Sequence, residues 1–188
     1  MEEQKKQSLK EWVEYILVVL LIVLPLRAFI IQPFIVSGSS MFPTFEDGNY
    51  LIVDEISYKL ENPNRYDVVI FKYPDPNPEN KTKYYIKRII GLPGETIIID
   101  GSSVFIKNKE NPDGFEIDQP YVKNQAKNNL QIELKDSEYF VMGDNRSASS
   151  DSRSWGPLPK ENLVGRALLR LLPINKVALF PGEYVEVD

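Results

Sequence analysis

Val13 to Ile31, VEYILVVLLIVLPLRAFII, is a stretch of nineteen residues dominated by apolar side chains. As a helix it would reach about 28 Å at roughly 1.5 Å per residue, the thickness of a bilayer core. Glu14 and Arg27 lie near its ends, where long side chains reach headgroups, and Pro25 bends a spanning helix without preventing insertion. A cleaved secretory leader is the alternative, because Lys5, Lys6 and Lys10 precede the apolar run. No small-x-small site follows it, since Pro25, Leu26, Arg27, Ala28 and Phe29 are mostly bulky, so a retained anchor is the better reading. The three lysines stand before the span and no Lys or Arg occurs between Ala28 and Tyr58. Positive charge stays inside, which places residues 1–12 in the cytoplasm, 13–31 in the membrane and 32–188 outside.

The exported part is long enough for a real core, with 43% hydrophobic residues in the chain. A net charge of -5 argues against nucleic acid, which is bound by clustered Lys and Arg. The chain has no histidine and no cysteine. A Ser-His-Asp triad, a thiol nucleophile, a disulfide framework and a thiolate metal site are therefore all unavailable. A hydrolase built from this chain must take its base from Lys, Asp or Glu, and nothing in it calls for a metal or a cofactor.

From Phe34 onward, short apolar or alternating runs are separated by Gly, Pro, Asn and Asp, the pattern of a mostly β domain. Strands are expected at 50–54, 67–73, 84–90, 96–100, 104–107, 138–142 and 164–172. Asp100-Gly101 is a hairpin signal, because Gly tolerates positive φ in a tight turn. Pro74 to Lys83 reads as an exposed loop, and residues 108–129 as a polar insertion of low order. Trp155 and Ala167 to Leu172 are candidates for touching the membrane, although a core strand suits the latter run better.

Three segments carry residues suited to chemistry. The first, Ser37-Gly-Ser-Ser-Met-Phe-Pro-Thr44, is either a linker or a shaped loop. A linker has no use for Met41, Phe42 and Pro43, whereas Gly38 lets the backbone approach a substrate. In the second, KYYIKRIIGLPGE from Lys83 to Glu95, alternation puts Tyr85, Lys87 and Ile89 on one strand face. Ile86, Arg88 and Ile90 share the other. An ordinary strand lysine would reach water, but one desolvated among apolar neighbours loses roughly 3–5 pKa units from about 10.4 and becomes a base. The third, VMGDNRSASSDSRSWGPLP from Val141 to Pro159, is a surface loop or a loop fixed by ion pairs. Asp144, Arg146, Asp151 and Arg153 alternate in sign within it, which favours the second description.

Together, in this order, the three segments resemble the boxes of bacterial type I signal peptidases, and Arg65-Tyr-Asp-Val-Val-Ile-Phe-Lys-Tyr-Pro74 is similar to a fourth. The resemblance implies a β-rich catalytic domain preceded by one transmembrane helix. It implies a serine endopeptidase that removes signal peptides from exported preproteins at the outer surface of the bacterial plasma membrane. Its partners would be those preproteins, the lipid bilayer and the export machinery. The serine before Met41 matches the family nucleophile, so Ser40 rather than Ser39, and the lysine before Arg88 matches the general base, Lys87. Ser149 falls on the supporting serine hydrogen-bonded to that lysine. Asp151 and Arg153 match a structural ion pair, and Asp144 and Arg146 the family's turn. Phe34, Val36, Met41, Phe45, Leu51, Ile70, Tyr85 and Ile86 fall where the family lines its shallow pockets. Gly38 stands where some members carry a serine hydroxyl for the oxyanion, which makes its backbone N–H the candidate second donor. The competing descriptions are a self-cleaving serine-lysine protease and a non-catalytic, membrane-anchored β module that binds an exported partner.

Overall fold

The computed structural model describes residues 2–23 and 31–184. A helix, α1 (Glu2–Val18), continues into a π-helical turn at Val19–Val23. Among the described residues no helix is long and apolar enough to cross a membrane. Residues 24–30 of the expected span lie outside the described residues. Ile31, expected as the last residue of that span, is instead the first residue of a strand.

The strands, in chain order, begin with β1 (Ile31–Ile35) and β2 (Tyr50–Asp54), followed by the single-turn helix α2 (Ser57–Leu60). Next come β3 (Val68–Lys72), β4 (Tyr84–Gly91), β5 (Thr96–Gly101), β6 (Ser103–Lys107), β7 (Phe115–Glu116), β8 (Asn128–Glu133) and β9 (Glu138–Met142). The short helix α3 (Ser152–Trp155) precedes β10 (Leu158–Pro159), β11 (Leu163–Leu172) and β12 (Ala178–Leu179). The larger sheet runs β1-β2-β11-β3-β4-β9-β10, with β12 added to β11, and the smaller runs β7-β6-β5-β8. Ladder pairing is antiparallel throughout.

Sequence pattern accounts for these placements. β2 and β5 alternate between buried and half-exposed residues, as strands with one covered face do. β3 is a continuous apolar run because a central strand is covered on both faces. β5 and β6 form the hairpin expected at Asp100-Gly101, where Gly101 has φ +61°. The long strand β11 pairs with β2 and β3 through register shifts, and such bulges bend a sheet.

The segment 108–129 does not match the low order expected of it. It contributes β7 and the first residues of β8, and Ile117, 2% exposed, enters the core between the sheets. Trp155 packs half-buried against Phe71 and Tyr73. Strand β11 buries Ala167 and leaves Leu171 and Leu172 exposed at its end.

Candidate active site

The segment after β1 is a fixed loop. Val36 N–H donates to Asn49 O at 2.9 Å and Gly48 N–H returns to Val36 O at 2.9 Å. Met41 and Phe45, 1% and 0% exposed, anchor the following turn in the core. Asn145 then takes hold of the serines from the opposite side. Its N–H donates to Ser40 O at 3.0 Å, and its side-chain amide donates to Ser39 O at 3.1 Å. A flexible linker has none of these restraints.

Lys87 sits in the middle of β4, paired with Val69 of β3, and is 4% exposed. Its Nζ lies 2.7 Å from Ser40 Oγ and donates to Ile86 O at 2.8 Å. The Tyr85 ring stands 5.3 Å from the nitrogen, backed by Tyr73 at 4.9 Å between ring centroids. Burial lowers the pKa of Lys87 from 10.5 to about 8, against the carboxylates of Asp151 and Asp144, which pull it upward. Desolvation outweighs both charges because the side chain is almost wholly buried.

The loop after β9 is held by two buried ion pairs. Asp151 and Arg153 form the pair expected of them, with contacts of 2.8 Å from both Nε and Nη2. Asp151 also accepts from Gly143 N–H at 3.0 Å and caps α3. Burial pushes its carboxyl pKa up, but the Arg153 contacts and the Gly143 N–H prevail and hold it below the usual range. The partner of Asp144 is not Arg146. It is Arg88, which reaches Asp144 through Nε at 2.9 Å and Nη2 at 2.7 Å. Arg146 instead donates to Gly143 O at 3.0 Å within its own loop. Arg88 meets both carboxylate oxygens of Asp144 in a fork from the neighbouring strand, the two-pronged geometry that makes such pairs strong.

Two further expectations need correction. Gly38 N–H is committed to Asp47 Oδ1 at 2.7 Å, so it is not available to an oxyanion. Ser149 does not bond Lys87: its Oγ is buried and completes no hydrogen bond among the described residues. Its hydroxyl is among the groups that lower the pKa of Asp151, so it is directed at that carboxylate and not at the lysine. The role expected of Ser149 is filled by the Ile86 carbonyl.

A cleft of about 510 Å³ opens onto Ser40 and Lys87. Phe34, Val36, Leu51, Ile70, Tyr85 and Ile86 line it as expected. Met41 and Phe45 do not line it, being part of the core cluster that also holds Leu51 and Ile70. Ile35, Ser37, Lys83, Tyr84 and Ser150 complete the wall and were not legible as lining residues. Tyr84 stands beside Tyr85 at the strand start, and its ring meets Phe34 edge-on at 5.5 Å.

A mostly β domain with a serine hydroxyl at the base of an apolar cleft has the make-up of a serine endopeptidase. Residues 9–172 match the family described as "Signal peptidase, peptidase S26", and the chain belongs to that family. It is 34% identical over 174 residues to "Probable signal peptidase I-1" of Synechocystis sp., covering 90% of this chain and 86% of that one. It is 32% identical over 185 residues to "Signal peptidase I" of Bacillus licheniformis, covering 92% and 94%. The crystal structure of a signal peptidase I from Enterococcus faecalis V583 aligns with a TM-score of 0.43 at 27% identity, over 56% of this chain and 97% of that chain.

Proposed function

We propose that this chain removes signal peptides from exported preproteins, with Ser40 as nucleophile and Lys87 as general base, while its N-terminal segment holds it in the plasma membrane. The observation that carries the reading is the 2.7 Å approach of a buried Lys87 nitrogen to Ser40 Oγ. A neutral amine there donates one N–H to Ile86 O and turns its lone pair to the serine hydroxyl. Lys87 takes the Ser40 proton as the oxygen attacks the scissile carbonyl, and the resulting lysinium gives it to the leaving amine. Water deprotonated by the same lysine then releases the acyl group. The backbone N–H of Ser40 is the first oxyanion donor in this scheme; Gly38 is excluded as the second by its bond to Asp47.

The apolar walls formed by Val36, Leu51, Ile70 and Ile86 favour substrates with small residues at the first and third positions before the bond, because larger side chains are rejected there. Membrane anchoring rests on the apolar stretch 13–31 and on Lys5, Lys6 and Lys10 before it, which favour a cytoplasmic N-terminus. An anchored enzyme meets a membrane-held substrate at raised effective concentration. The test is cleavage of a preprotein bearing a small-x-small site by the detergent-solubilised full chain. Wild type processes it; Ser40→Ala and Lys87→Ala leave it intact. Full processing by either variant removes the dyad.

A further inference from the structure

Beyond residue 172, where the family match ends, the chain folds back on the molecule and reaches the network beneath the catalytic serine. β12 pairs with β11, Phe180 N–H donates to Leu168 O at 2.7 Å, and the Arg166 guanidinium lies 4.6 Å over the Phe180 ring. Tyr184 then packs edge-on against Tyr66 at 4.9 Å and donates its hydroxyl to Asp118 at 3.1 Å. Between these anchors Gly182 presents its carbonyl to Arg88 Nη1 at 2.5 Å.

Arg88 is 1% exposed and has five N–H donors to satisfy without water. Asp144 takes two of them, Tyr66 O takes one at 2.9 Å, and Gly182 O shares the same nitrogen as Tyr66 O. Asp144 in turn accepts from Thr44 Oγ1 at 2.5 Å, and the next residue, Asn145, grips Ser39 O and Ser40 O. The path from the C-terminal segment to the nucleophile is therefore three contacts long, and each is a directional bond between buried or half-buried groups. Gly182 suits this place for two reasons. Its φ is +84°, and a Cβ there would meet Thr44 Cγ2 at 2.7 Å and Val68 Cγ2 at 3.1 Å.

We propose that the segment Phe180–Tyr184 is a positioning element of the active site: the Gly182 carbonyl fixes Arg88, Arg88 fixes Asp144, and the loop of Asp144 and Asn145 holds the Ser40 backbone in its attacking place. The inference rests on Ser40 being the nucleophile. A displaced Arg88 shifts that backbone by a fraction of an ångström, which slows attack while leaving the apolar substrate walls untouched.

The experiment uses the full chain in detergent with a peptide carrying a small-x-small site. Gly182→Ala is expected to lower kcat about tenfold with KM within twofold of wild type. Thr44→Ser removes the Cγ2 that the added methyl would strike yet keeps the hydroxyl on Asp144, so the Gly182→Ala loss measured in a Thr44→Ser background is expected to shrink to about threefold. Should Gly182→Ala fail to fold, Phe180→Leu loosens the same segment at its other anchor, and a severalfold fall in kcat at constant KM is expected. A folded Gly182→Ala with unchanged kcat, a rise in KM alone, or a loss that Thr44→Ser does not reduce overturns the proposal. Ser40→Ala is assayed alongside: if it retains activity the dyad fails, whereas an inactive Ser40→Ala beside a fully active Gly182→Ala removes only the role of the C-terminal segment.

Discussion

Replacing Lys87 by methionine should make the protein more stable and inactive, and the gain should depend on pH in a specific way. Met matches the lysine stem in length and carries no charge. The Lys87 pKa falls from 10.5 in the unfolded chain to about 8 in the folded one. At about 1.4 kcal/mol for each pH unit, keeping the buried ammonium costs about 3 kcal/mol below pH 8. Between pH 8 and 10.5 the unfolded chain still holds the proton that the folded chain has lost, so wild-type stability rises across that window. The group is neutral in both states above it. The stability gap between Lys87→Met and wild type is therefore expected to be about 3 kcal/mol larger at pH 7 than at pH 10.5. Lost hydrogen bonds to Ser40 and Ile86 offset the gap at both ends and cancel in the comparison. Urea unfolding followed by tryptophan fluorescence at pH 7, 9 and 10.5 reads it directly. A gap that does not change with pH refutes the claim that folding lowers the Lys87 pKa.

The same burial predicts that kcat/KM rises with pH through about 8 and levels off above it; a profile climbing only near pH 10.5 contradicts a desolvated base. Asp144→Ala leaves the Arg88 guanidinium buried without its carboxylate, so unfolding free energy should fall by about 3–5 kcal/mol, measured by urea titration. A change under about 1 kcal/mol would mean that Arg88 reaches water instead. Gly143→Ala places a Cβ against Ser149 Oγ and Ser40 O, and proteolysis should drop about a hundredfold in a protein that still folds. Wild-type activity in that variant would mean the loop yields without moving Ser40.

Lys87 was legible because the missing histidine narrows the choice of base and because strand alternation puts Tyr85 and Ile89 beside it. Its neighbour Arg88 was not, since its carboxylate stands 56 residues away and no local pattern distinguishes Asp144 from Asp151 as the partner. The split between cleft and core among apolar residues was also hidden. Met41 and Phe45 are as hydrophobic as Leu51 and Ile70, and only the loop geometry turns the first two inward, away from the cleft. β1 went unread because its apolar residues continue the run that precedes it. Segment 108–129 looked unstructured through its polarity, yet a few residues suffice to fix it: Ile117 enters the core and Tyr121 covers Arg88 at 4.0 Å. The Gly38 assignment failed on a contact nine residues away, where Asp47 had already claimed the N–H.

The claim beneath all of this is that burial brings the Lys87 pKa down to about 8, so that a neutral base forms well below the ordinary lysine range, and its titration can be watched without any reaction. Lysine ε-carbon resonances, assigned by their loss in Lys87→Met, are followed by NMR against pH in Ser40→Ala, which lacks the nucleophile. Lys87 is predicted to titrate near 8, more than about two pH units below the ordinary lysine value of 10.5. A midpoint near the ordinary value of 10.5 would contradict the account.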